Sequence, residues 1–141
     1  MQTGEGKTLA AFLAASLFAM AGRGTHVVTA NDYLARRDAE FLAPAFRALG
    51  LSVAVVAGGD ETDSRRAAYA ADIVYISSKE AAFDYLRDGL TRPADSGNRF
   101  LVAKLASVFG KASGAEPLQR SPDVAIVDEI DSVLVDEAGT P

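Results

Sequence analysis

Thr3-Gly4-Glu5-Gly6-Lys7-Thr8 stands at the head of the chain, and Val124-Ala125-Ile126-Val127-Asp128-Glu129 stands near its end. The first stretch has the residues of a loop that wraps phosphate. Gly4 and Gly6 let backbone N–H groups turn toward closely spaced anionic oxygens. A helix starting near Lys7 adds its positive N-terminal end. The Lys7 ammonium can reach β and γ phosphates, and the Thr8 hydroxyl can ligate magnesium. In the second stretch, four apolar residues predict a buried strand. Asp128 and Glu129 then emerge at its carboxyl end, the edge where α/β sheets bind ligands. Asp128 is placed to hold the metal, through water. Glu129 is placed to orient or deprotonate an attacking water, an effect worth roughly 10²–10⁴-fold for a positioned base.

The two motifs together hold the parts that a site for a nucleoside triphosphate with Mg2+ needs. Gly4, Glu5, Gly6, Lys7, Thr8 and Asp128 are the candidate nucleotide-binding residues. Thr8 and Asp128 are the candidate metal ligands, and Glu129 is the candidate catalytic residue. Each motif alone has a plainer explanation, a glycine-rich helix start or an acidic turn after a strand. Met1 stands five residues before Gly6, where the strict two-glycine consensus has glycine; helicase-type motors use this looser form. A phosphate loop ordinarily hangs from a preceding strand, so a domain truncated at its N-terminus is expected.

The chain has 141 residues, one domain's worth, and its 49% hydrophobic content is enough for a core. It has no cysteine, which excludes disulfides and thiolate metal sites. The net charge of −5 argues against autonomous nucleic-acid binding. The longest apolar run, Leu9 to Ala21 broken by Ser16, falls short of the ~20 residues that cross a bilayer. It reads as a core helix covered on most sides.

Between the motifs, strands and helices alternate, which implies an α/β domain with a mostly parallel sheet. Gly22-Arg23-Gly24 ends the first helix, and Thr25 to Ala30 reads as a buried strand. Asn31 caps a helix from Asp32 to about Leu49, with a kink expected at Pro44. Strands follow at 51–56 and 72–76, with helices at 63–71 and 79–87. The region from about 89 to 122 reads as a longer connection with a possible helix at 99–109.

The intervening residues add a resemblance. Thr3 to Thr8, His26 to Asp38, Arg66 to Ile73, Phe83 to Asp88 and Val127 to Ala138 are similar to the first motor domain of the SecA protein-translocation ATPase family. The similarity covers nearly the whole chain except about 89–121. It implies a RecA-like P-loop NTPase domain with three layers, of the DEAD-box helicase kind. It further implies a cytoplasmic ATPase, peripherally associated with the inner membrane, that drives unfolded preproteins through the Sec channel. A second motor domain would complete it. Several features depart from the family. Ile76-Ser77-Ser78-Lys79-Glu80 replaces glycine-threonine-asparagine-asparagine-glutamate, and Gly139 replaces arginine. The 89–122 connection is longer, and the upstream strand and glutamine motif do not precede the loop. Two rival readings are a nucleic-acid helicase or remodeller motor and a non-catalytic nucleotide-binding remnant.

Other residues read as structural. His26, the only histidine, starts an apolar strand and has no metal-binding companions. Arg36-Arg37-Asp38 reads as a partner contact or an exposed helix face. Arg65-Arg66 reads as a solvated face, and Tyr33, Tyr69, Tyr75 and Tyr85 as core.

Overall fold

A computed structural model of the chain describes residues 6–91, 118–119, 123–128 and 130. In chain order its elements are α1 (Lys7–Met20), β1 (Thr25–Thr29), α2 (Asp32–Ala48), β2 (Val53–Val56), α3 (Thr62–Tyr69), β3 (Ile73–Ser77), α4 (Ser78–Thr91) and β4 (Val124–Val127). The strands form one sheet in the order β2-β3-β1-β4, and all neighbours are parallel. This is the expected α/β architecture.

Side-chain alternation along the strands builds two cores. On one face, Val27, Ile73 and Tyr75 pack with Ala15 and Ala19 of α1 and Ala35, Ala39, Leu42 and Phe46 of α2. On the other, Val56, Val74 and Ile76 pack with Tyr69 of α3 and Leu118, with Ala81 of α4 against them. The sheet therefore lies between two helical layers.

Local chemistry accounts for the element ends. The Asn31 side chain accepts from the Leu34 N–H at 2.9 Å and so caps α2. Gly50, at φ 75°, turns the chain out of α2. Pro44 does not split this helix, which runs through it to Ala48.

α1 departs from expectation. Only Ala15, Ser16 and Ala19 are buried on it, while Leu9, Leu13, Leu17 and Met20 are exposed. Small side chains bring this helix close to the sheet, and the leucines point away from it. Two of the tyrosines also depart. Tyr69 and Tyr75 are core residues, but Tyr33 and Tyr85 are exposed. Of the connection expected at 89–122, residues 89–91 belong to α4, and residues 118–119 are held against it. The helix expected at 99–109 lies outside the described residues.

Candidate nucleotide site at the carboxyl edge of the sheet

α1 begins on Gly6, whose φ of 78° lies in the left-handed region that glycine alone enters freely. The Gly6 carbonyl accepts from Leu9 N at 3.0 Å and Ala10 N at 3.1 Å, closing the first turn. Lys7 and Thr8 thus occupy that turn, where backbone N–H groups and the helix dipole favour an anion. The other end of α1 joins the amino end of β1 through residues 21–24, and α1 packs on β1 and β4. Its first turn therefore points to the carboxyl edge of the sheet.

Asp128 stands at that same edge. β4 pairs with β1 in register from Thr25↔Val124 to Val28↔Val127. The Asp128 N–H continues the ladder by donating to the Val28 carbonyl at 2.9 Å. Lys7 and Asp128 thus lie on neighbouring elements at one edge. Gly4, Glu5 and Glu129 fall outside the described residues, as do Asp131, Asp136 and Gly139. The oxygen donors offered by Thr8 and Asp128 suit Mg2+, which takes few protein ligands and keeps waters and phosphate oxygens. Among the described residues, no group of three or more histidines, aspartates or glutamates is arranged to hold a metal by itself.

A cleft of about 20 Å³ opens beside Asp128, lined by Thr29, Ala30, Leu34, Arg37, Asp38 and Asp128. Asp38 is only 6% exposed, and Arg37 Nη2 meets its Oδ1 at 2.7 Å. Arg36 and Arg37 are exposed and Arg37 pairs locally with Asp38, in keeping with the exposed-face alternative, while Asp38 itself is buried beside the cleft. Helical spacing carries the signal for Asp38, which lies three residues after Ala35 and four before Leu42 on the buried stripe.

A brace ties the neighbouring loops together. Asp32 Oδ2 accepts from Gly58 N at 2.7 Å, and Oδ1 accepts from the Ser77 hydroxyl at 2.6 Å. A Cβ on Gly58 would meet Asp32 Oδ2 at 3.1 Å, so this approach favours glycine. Burial pushes the Asp32 pKa up, but the Ser77 and Gly58 donors, with Arg36 and Lys79, outweigh it and hold it below the ordinary value. The start of α2, the β2–α3 loop and the end of β3 are thereby locked to one another.

Behind the brace lies a buried ionic network. Arg65, 4% exposed, donates to Asp84 Oδ2 at 2.8 Å, Glu80 Oε2 at 2.6 Å, the Ala57 carbonyl at 2.9 Å and the Asp60 carbonyl at 3.1 Å. Burial opposes its charge, yet Glu80 and Asp84 raise its pKa above the usual value. The Tyr69 hydroxyl also donates to Asp84 Oδ2, at 2.8 Å. The solvated face expected for Arg65 is thus corrected to a core cation; Arg66, paired with exposed Asp63, remains at the surface. Two residues of the 76–80 stretch, Ser77 and Glu80, serve these two structures. His26 is buried, with its ring 5.5 Å from that of Tyr69.

Comparisons with known proteins agree with this architecture. The SecA DEAD-like domain family matches residues 1–141. The chain is 50% identical over 141 residues to the protein translocase subunit SecA of Burkholderia mallei (strain NCTC 10229) and to that of Burkholderia pseudomallei (strain K96243). It is 48% identical over the same length to protein translocase subunit SecA 1 of Mycolicibacterium smegmatis. In each comparison the whole chain is covered but only 13% of the relative. With its parallel α/β sheet and a match over its full length, the chain belongs to the SecA DEAD-like domain family.

Proposed function

We propose that this domain binds Mg2+–ATP as part of a SecA-type motor that couples ATP hydrolysis to preprotein movement through a membrane channel. One observation carries the reading. The first turn of α1, with Lys7 and Thr8, and the Asp128 end of β4 lie at the same edge of the sheet on elements that touch. In this reading the residues of the loop from Gly4 to Thr8 hold the phosphates. Thr8 and Asp128 hold the metal, which supplies charge neutralisation at the phosphate oxygens. Glu129 positions the attacking water. Preprotein, the Sec channel and a second motor domain are proposed as partners because the relatives are named translocase subunits. No helix among the described residues is long and apolar enough to cross a membrane, which is compatible with peripheral association through a longer polypeptide.

A titration of fluorescent ATP in the presence of Mg2+ tests the reading. Saturable binding by the chain, lost in Lys7→Ala, is expected. Absence of binding, or equal binding by Lys7→Ala, would leave a non-catalytic remnant as the better description. In a full-length parent, Glu129→Gln should retain binding while removing hydrolysis; loss of both together would contradict its role.

A further inference from the structure

Asp38 is a carboxylate on the buried stripe of α2, between Ala35 and Leu42, and is only 6% exposed. An apolar side chain would fill that place without the cost of taking a charge out of water. Its pairing is also unusual. Residues i and i+1 of a helix do not face each other. Yet Arg37 folds back so that Nε, at 2.8 Å, and Nη2, at 2.7 Å, both meet Asp38 Oδ1. A surface arginine ordinarily samples many rotamers, and two charge-assisted contacts to one oxygen of a buried carboxylate pin this one. The place where it is pinned is the cleft. Arg37 and Asp38 line it from α2, Thr29 from the end of β1, and Asp128 from the end of β4. At about 20 Å³ the cleft has room for about one water, so the Arg37 and Asp128 charges border the same small space. The Arg37 side chain is 52% exposed, so its charge is partly screened there.

We propose that Arg37 is a positioning residue that acts on Asp128, the candidate metal ligand. Its guanidinium, held at the cleft by Asp38, offsets the Asp128 charge while no cation lies there and works against a cation that arrives. Asp128 alone is thereby a poor magnesium site. The ion is retained when phosphate oxygens supply more of its ligands, so magnesium enters and leaves with the nucleotide. This inference rests on the nucleotide reading given above. It gives buried Asp38 a task, fixing the arginine, where packing alone would call for an apolar residue.

The test compares the chain with Arg37→Gln, Arg36→Gln, Asp128→Asn and Arg37→Gln combined with Asp128→Asn. Fluorescent-ATP affinity is measured without magnesium and across a magnesium titration, with thermal melting as the check on folding. Arg37→Gln is expected to lower the magnesium midpoint about two- to fivefold, the range of a partly exposed charge pair. A gain of this kind is not what a misfolded chain would give. Arg36→Gln removes the same charge from an exposed residue outside the lining of the cleft and should leave the midpoint in place. With Asp128 already replaced, Arg37→Gln should add nothing. An unchanged or raised midpoint in Arg37→Gln, or an equal drop in Arg36→Gln, would overturn the role of Arg37; magnesium dependence lost in Asp128→Asn would then leave the site reading standing. A fall in magnesium-free affinity in Arg37→Gln would make Arg37 a phosphate contact and overturn the proposal too. A chain with no magnesium-dependent binding at all would overturn both.

Discussion

Arg65 and His26 show how single side chains depend on partners far away in sequence. The carboxylates that hold Arg65, Glu80 and Asp84, lie 15 and 19 residues further along the chain. No local pattern links them, so a pair of arginines on a short helix reads as a solvated face. Removing the guanidinium leaves fully buried Asp84 with only the Tyr69 hydroxyl and the half-exposed Arg87 as partners. Arg65→Ala is expected to cost about 3–5 kcal/mol in denaturant unfolding, the range for breaking a buried ion pair from one side. Arg66→Ala should stay within about 0.5 kcal/mol. His26 gives a pH-dependent prediction. Burial holds its pKa below the usual 6.5, so the unfolded chain takes up its proton first. Its contribution is complete above pH 6.5 and declines as the pH falls toward the lower folded value. Melting temperature should drop between pH 7.5 and 5.5, and His26→Phe should flatten that part of the slope.

Among the elements, α2 was readable and α1 only half so. Asn31, Asp32 and Gly50 mark the ends of α2, and its apolar positions recur on one stripe. That stripe includes Asp38, a signal the charged Arg36-Arg37-Asp38 run obscures. α1 is apolar on every side, so its sequence carries no phase to say which face meets the sheet. Close packing decides it, and the alanines face inward. Ala15 is fully buried, and Ala15→Leu should destabilise by about 1–3 kcal/mol through overpacking. Leu13→Gln and Leu17→Gln, at positions more than 60% exposed, should change stability by no more than about 0.5 kcal/mol in denaturant unfolding. Gly6→Ala forces an L side chain into the left-handed region at the helix start, at about 1–2 kcal/mol. Nucleotide affinity should fall with it.

For the whole molecule, strand–helix alternation made the parallel sheet legible. The order of its strands was not, because β4 joins β1 across nearly a hundred intervening residues and only the register reveals that pairing. That pairing brings Asp128 to the edge faced by α1. In the motor reading, hydrolysis draws on an arginine finger from a second motor domain, a contribution of roughly 10³–10⁵ in rate. The chain alone is therefore expected to turn over ATP slowly in a phosphate-release assay; robust turnover, lost in Lys7→Ala, would contradict this.

Asp88 near the end of α4 accepts from the Leu118 N–H at 2.6 Å and the Gln119 N–H at 2.8 Å, and Gln119 Nε2 reaches the Ala81 carbonyl at 3.1 Å. These bonds fasten together the two stems from which residues 92–117 depart. A stretch anchored at both stems is a permissive graft point. Lineages could lengthen, shorten or re-letter this part of the chain while the sheet beneath keeps its geometry.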